Sequence, residues 1–209
     1  MITNIKNHRV QNQNVMLGID NLMQGRKANI FYSDPPWGQG NISYWQTLNK
    51  RHNNIDPENI NYNDFLNQIF NLATKHTSGI VIIEYGIKWE NDLISIGVNH
   101  NLDHLGVAEV LYKAGSKLLP HHVHFFKTKD YNWNGNINEV INKISGRLGD
   151  LKCVMDSVEP FVVSGGIVLD PCCGLGMSAE MAMLVNMDFR GNELNHKRLQ
   201  TTMNKLAKK

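Results

Sequence analysis

Ile167-Val168-Leu169-Asp170-Pro171-Cys172-Cys173-Gly174-Leu175-Gly176-Met177-Ser178-Ala179 is the stretch that decides the fold. It reads as a short buried strand, a tight glycine turn and the start of a helix, the unit that opens a nucleotide-binding sheet. Glycines suit that turn because a ligand approaching the backbone there would collide with a side chain. The next apolar run, Phe189–Glu193, ends on a carboxylate placed to accept two hydrogen bonds from ribose hydroxyls. A dinucleotide site shares these features, and so does a glycine turn with no ligand. Asp170-Pro171 ahead of the glycines favours S-adenosyl-L-methionine, because a carboxylate there suits a cationic amino group and repels a pyrophosphate.

Outward from that unit, short apolar runs alternate with longer amphipathic ones, the rhythm of an α/β chain with a mostly parallel sheet covered on both faces. Seven strands are expected: Val15–Gly18, Asn29–Ser33, Gly79–Glu84, Ala108–Lys113, Val123–Lys127, Ile167–Asp170 and Phe189–Glu193. Helices are expected over Tyr62–Lys75, around Trp89–Val98, and over Lys152–Val162, Ser178–Asn186 and Lys197–Lys208. Too few residues separate the fourth and fifth strands for a crossover helix, so that pair is expected to form an antiparallel edge hairpin. The 209 residues, 42% hydrophobic and 19% charged, suit a single domain over 1–209 and exclude bulk disorder. No apolar run is long enough for a membrane span, the N-terminus is polar, and three cysteines make no disulfide framework, so a cytoplasmic protein is expected. A net charge of +2 does not by itself indicate a polyanionic partner.

A second element carries the chemistry. The strand Asn29–Ser33 runs into Asp34-Pro35-Pro36-Trp37. Two prolines stiffen the backbone and donate no hydrogen bonds, leaving fixed carbonyl acceptors beside the Asp34 carboxylate and an aromatic plate at Trp37. Acceptors next to a plate suit an exocyclic amine on a planar base: Asp34 and the Pro35 carbonyl can each take one N–H proton while Trp37 stacks on the ring.

Asp34-Pro35-Pro36-Trp37 upstream, Asp-Pro-Cys-Cys-Gly-Leu-Gly at 170–176 and Gly-Asn-Glu-Leu-Asn-His-Lys-Arg-Leu at 191–199 together resemble the permuted, beta-class amino-methyltransferases of nucleic acids. The resemblance implies a Rossmann-like methyltransferase fold, with a seven-stranded sheet whose last two strands form a hairpin, and S-adenosyl-L-methionine as cofactor. It implies catalytic roles for Asp34, Pro35, Pro36 and Trp37, and cofactor contacts from Asp170, Cys172, Gly174, Gly176 and Glu193. Cys172 stands where the family commonly carries an aromatic. Asp20, in Val-Met-Leu-Gly-Ile-Asp-Asn-Leu, is the implied contact to the cofactor adenine, although Ile19 separates it from the glycine of the family pattern. Tyr112-Lys113 resembles the hairpin motif that closes the target pocket. Tryptophan in the tetrapeptide leans to adenine N6 methylation of nucleic acid, DNA favoured over RNA. A cytosine N4 or RNA adenine enzyme, or a non-catalytic nucleic-acid-binding subunit of the same fold, stays open, as does a homodimer.

Two connections are expected to be substrate-binding insertions, 38–61 and 128–150. In the first, Tyr44 and Trp45 could stack on bases and Lys50 and Arg51 meet phosphates; at the start of the second, Lys129, Tyr131 and Trp133, with Lys127 just before it, invite the same reading. His121, His122 and His124 have no carboxylate or cysteine near them in sequence, so no metal is expected.

Overall fold

The computed structural model describes residues 1–53 and 60–208, with the side chains at 51–53, 89 and 91 outside the description. Among the described residues, eight strands form one sheet in the order β1-β2-β8-β7-β3-β4-β6-β5, one strand more than expected. The strands are β1 (Ile2–Ile5), β2 (His8–Gln11), β3 (Ala28–Ser33), β4 (Thr77–Tyr85), β5 (Leu102–Ala114), β6 (Lys117–Thr128), β7 (Ile167–Asp170) and β8 (Asp188–Asn192). The added pair, β1 and β2, is an antiparallel ribbon whose second strand runs parallel to β8. Its residues are mostly half-exposed, which is why they carry no apolar signature. The expected strand Val15–Gly18 is instead a 3₁₀ turn over Val15–Leu17, held by the Asn14 side chain accepting from the Met16 amide at 3.1 Å. The expected edge hairpin is present: β5 and β6 pair antiparallel from Leu102↔Thr128 to Ala114↔Lys117. The sheet is therefore antiparallel at both edges and parallel in the middle.

Among the described residues, eight helices cover the sheet: α1 (Asp20–Met23), α2 (Gly38–Asn53), α3 (Tyr62–His76), α4 (Glu90–Asn99), α5 (Ile137–Ile144), α6 (Leu151–Val158), α7 (Met177–Leu184) and α8 (His196–Ala207). Alternate strand residues feed two cores, as the pleat requires. Ile30, Ile80, Ile82 and Val168 pack against α5 to α8, and Phe31, Val81, Ile83 and Leu169 against α1 to α4. Burial of these apolar faces is the main stabilising term, at roughly 25 cal/mol per Å².

The chain progresses from β3 toward β4 on one side and from β7 toward β8 on the other. The switch between the two directions falls between β3 and β7, which pair in parallel. In open α/β sheets the carboxyl ends of the strands flanking such a switch form a crevice. Asp34 follows one of these strands and Asp170 ends the other.

Candidate active site

A cavity of about 330 Å³ opens at that crevice. Asp34, Pro35, Pro36 and Trp37 form one wall, Pro171, Cys172, Glu193, Leu194, Asn195 and Arg198 another, and Tyr44, Trp45 and Asn49 of α2 line it as well. Two motifs far apart in sequence thus share one space, because β3 and β7 are neighbours.

Trp37 is pinned on several sides. Its Nε1 donates to Asp34 Oδ1 at 3.1 Å and to the Glu84 carbonyl at 3.2 Å. His121 stacks on the ring at 5.4 Å and Tyr112 meets it edge-on at 5.4 Å. Glu84 anchors this group: its buried carboxylate accepts from the Tyr32 hydroxyl and lies 2.9 Å from His121 Nε2. Asp34 is exposed to the open space of the cavity, at the bottom of a densely lined cleft. That setting, with the negative charges of Glu84 and Asp170, pushes its carboxyl well above the usual range, opposed by Trp37 and Arg198.

The glycine turn is held from within. Asp170 is buried, its two oxygens taken by the Ser178 hydroxyl at 2.6 Å and the Cys172 amide at 2.9 Å, and burial lifts it to about 7. Glu193 lines the cavity and accepts from the amides of Gly174 at 2.9 Å and Asn195 at 2.7 Å. Burial raises its carboxyl despite those bonds. The glycines also have a packing role. Gly174 (φ +53°) and Gly176 (φ +77°) adopt left-handed backbone, and a Cβ on them would come within 2.6 Å of Arg198 and 2.7 Å of Thr202. They let α8 dock on the turn, and neither lines the cavity.

Asp20 lies elsewhere. It is 63% exposed at the start of α1 and pairs with Lys75 at 2.6 Å, outside the cavity lining; Asn14 and Val15 hold the wall on that side of the chain. The insertion 38–61 contains a helix, α2, where an open loop was expected. Trp45 packs under the Arg198 guanidinium, 4.3 Å from the ring centroid, and Asn49 accepts from Asn195 Nδ2 at 2.9 Å, so α2 roofs the cavity. Tyr44 lies edge-on to Trp45 at 5.3 Å and stays largely exposed. Lys50 is exposed on α2 and is not among the lining residues, while the Arg51 side chain and residues 54–59 lie outside the described residues. The insertion 128–150 folds back on the sheet. Trp133 packs on Phe161 at 4.8 Å, and Lys127 and Lys129 both pair with Asp103.

Sequence reasoning passed over Glu84, Asn195 and Arg198. Glu84 had a signal: it is an acid at the end of an apolar strand, and the register Ser33↔Ile83 sets it beside Asp34.

No protein-family model matches the chain, and no curated protein does. Solved structures do. The complex of M1.HpyAVI with SAM superposes with a TM-score of 0.68 at 14% identity, over 94% of this chain and 98% of that one. The chain shares its fold. TTHA0409 of Thermus thermophilus, described as a DNA modification methylase, gives 0.67 at 16% identity over 96% and 94%. The cytosine-N4-specific PvuII DNA methyltransferase gives 0.66 at 9% identity over 97% and 87%. The chain therefore has the Rossmann-like methyltransferase fold, with eight strands in place of the seven expected.

Proposed function

We propose that the protein is an S-adenosyl-L-methionine-dependent methyltransferase acting on the exocyclic amine of a nucleic-acid base, with adenine N6 in DNA as the target. The observation that carries this reading is the shared cavity: Asp34, Pro35 and Trp37 face the same space as Glu193. Its donor set suits the cofactor. The Glu193 carboxylate matches ribose hydroxyls, Val15, Phe65 and Leu194 offer apolar surface, and Arg198, whose buried Nε has no hydrogen-bond partner among the described residues, matches a carboxylate. The bound cofactor supplies a methyl group made electrophilic by a sulfonium.

The protein's own task is to orient a weak nucleophile, since the adenine amine delocalises its lone pair into the ring. Asp34 Oδ1 already accepts from Trp37, leaving the rest of the carboxylate, with the Pro35 carbonyl, for the two amine protons. Accepting both protons favours a pyramidal nitrogen, and orientation supplies much of the remaining rate. A duplex target has to be flipped out of the stack, at a few kcal/mol.

Transfer of labelled methyl to DNA and RNA, followed by nucleoside analysis, tests this. N6-methyladenine in DNA is the expected product. The likeness to the PvuII enzyme favours N4-methylcytosine as a second reading. A protein that binds cofactor and transfers nothing would be the non-catalytic subunit.

Glu193→Ala is expected to weaken cofactor binding by about 1.5–3 kcal/mol, the worth of hydrogen bonds to a charged group. The same change frees the Gly174 and Asn195 amides, so calorimetry has to be paired with a thermal melt. Unchanged affinity in a folded variant would remove the ribose assignment.

Target reading is expected to be sparse. Direct readout places several side chains against base edges, each good bidentate pair giving about 1–3 kcal/mol of discrimination. Since 128–150 packs on the sheet, the α2 side is left to contact the substrate, through Tyr44, Lys50 and Arg51 as stacking and phosphate-binding residues. Methylation mapped in cells expressing the protein should show a short or relaxed adenine context. A strict site of five or more bases read without a partner would contradict this.

A further inference from the structure

On the far side of the edge hairpin, away from the cavity, the fold assembles a cluster that the sequence scatters. His122 and His124 alternate along β6 with Phe126, on the face that packs against α3 and α4, and His104 of β5 stands opposite Phe126. Glu90 arrives from the first turn of α4. One nitrogen each of His122 and His124 and one carboxylate oxygen of Glu90 lie within 4.8 Å of one another. Two of the separations in this group are shorter: His122 Nδ1 to Glu90 Oε2 is 2.9 Å, and His124 Nδ1 to His104 Nε2 is 3.4 Å. Ligand atoms on a tetrahedral zinc, at about 2.0–2.1 Å from the ion, stand about 3.3 Å apart.

A ladder of histidines packed on Phe126 would explain the burial but not the polar atoms it strands. His124 is fully buried, and its Nε2 has no hydrogen-bond partner among the described residues. His122 Nδ1, although near Glu90, makes no hydrogen bond of acceptable geometry. Stranded buried nitrogens are costly, and a cation would satisfy them.

We propose that Glu90, His122 and His124 bind a divalent transition-metal ion, zinc in type, with His104 positioning His124 through its Nδ1. Two imidazoles and a carboxylate suit zinc, cobalt or nickel better than magnesium or calcium, and a hydrogen-bonded partner on the second ring nitrogen is the usual support of a ligating histidine. Glu90 and His122 are partly exposed, which gives the ion a route from solvent. The ion would tie α4 to β6. His121, next to His122, points the opposite way onto Trp37 and Glu84, so the metal braces from behind the strand that steadies the catalytic tryptophan.

The test uses the full chain, stripped with chelator and titrated with Co²⁺, read by visible absorption and calorimetry, with Zn²⁺ as competitor. The expected result is one ion per chain, a d–d spectrum without thiolate charge transfer, and a rise in thermal midpoint on Zn²⁺ addition. His122→Ala and Glu90→Gln, each checked for fold by circular dichroism, should each weaken Co²⁺ binding at least tenfold. Absence of stoichiometric binding, binding unchanged in both variants, or a thiolate band pointing to Cys172 and Cys173 would overturn the site. Because metal binding is read without methyl transfer, its failure leaves the proposed activity standing, and the reverse also holds.

Discussion

Replacing Asp34 with alanine is expected to lower methyl transfer by about 10²–10³, the loss seen when one preorganised polar group is removed from a reacting centre, while cofactor affinity stays within a few-fold. Asp34 is the charged acceptor of the tetrapeptide at the cavity wall, and the Trp37 ring does not depend on it alone. Trp37 keeps its bond to the Glu84 carbonyl at 3.2 Å and its stack on His121, so the variant loses the acceptor and retains the plate. Asp34→Asn tests the charge separately, since an amide of the same shape presents N–H donors toward an amine that also donates. The pH profile is a second signature. Its setting in the densely lined cleft and the charges of Glu84 and Asp170 raise the Asp34 carboxyl, and only its ionised form accepts both the tryptophan and the amine. Activity should therefore fall on acidification at a pH above the ordinary carboxylate range. Glu84→Gln removes one of the raising charges and should move that acid limb down. Robust turnover by a purified Asp34→Ala protein, or an acid limb indifferent to Glu84→Gln, would show that Asp34 does something else.

The parts of this site that were legible in the sequence are those where local chemistry and tertiary placement agree. Ile167–Asp170 is bounded by Gly166 and Pro171 and buried throughout, and the strand found there has the expected ends. Asp34–Trp37 is stiff on its own account. The α2 helix was not legible, because Gly38, Gly40, Asn41, Ser43 and Asn49 are poor helix formers with no apolar stripe. Its order comes from contacts with distant residues, Ile42 in the core, Trp45 under Arg198 and Asn49 on Asn195. At Gly174 and Gly176 the sequence did not show the packing of α8 on the turn, since a glycine admits a packed helix as readily as a ligand. Asp20 carries a similar ambiguity. A carboxylate after an apolar run fits a cofactor contact, yet a lysine and a histidine at the end of α3 compete for it, and Lys75 holds it. The Glu90 and histidine cluster was invisible for a topological reason: its carboxylate comes from the helix after β4, and its histidines from the hairpin beyond.

Gly79→Ala is expected to destabilise the fold by about 3 kcal/mol or more, at the upper end of overpacking costs, although alanine is the smallest change a glycine can suffer. An added Cβ would stand 2.0 Å from the Asn29 carbonyl oxygen and 2.9 Å from its carbon, both main-chain atoms that no side-chain rotation can clear. The close approach exists because the pairing of β3 and β4 shifts by one residue between Ala28 and Ile30: β4 carries the extra residue, so that Ser78 and Gly79 together face Asn29. The bulge is tied down on its other side, where the Asn29 side chain accepts from the Ile167 amide at 2.9 Å at the start of β7. Pushing Asn29 away therefore disturbs both neighbours of β3 at once. The consequence reaches the cavity, because the slip sets the register in which β3 delivers Asp34 beside Glu84, and a one-residue change of register would turn alternate side chains to the other face. Gly40→Ala supplies the contrast. Nothing lies within 4 Å of its Cβ position inside α2, and there the substitution should stabilise by about 0.5–1 kcal/mol. For a chain of this size 1 kcal/mol moves the thermal midpoint by about 2–4 °C, so the two variants should bracket the parent, with Gly79→Ala at least about 6 °C below it and impaired in methyl transfer. A Gly79→Ala protein melting with the parent would mean that the bulge between β3 and β4 yields freely, and that the placement of Asp34 does not depend on it.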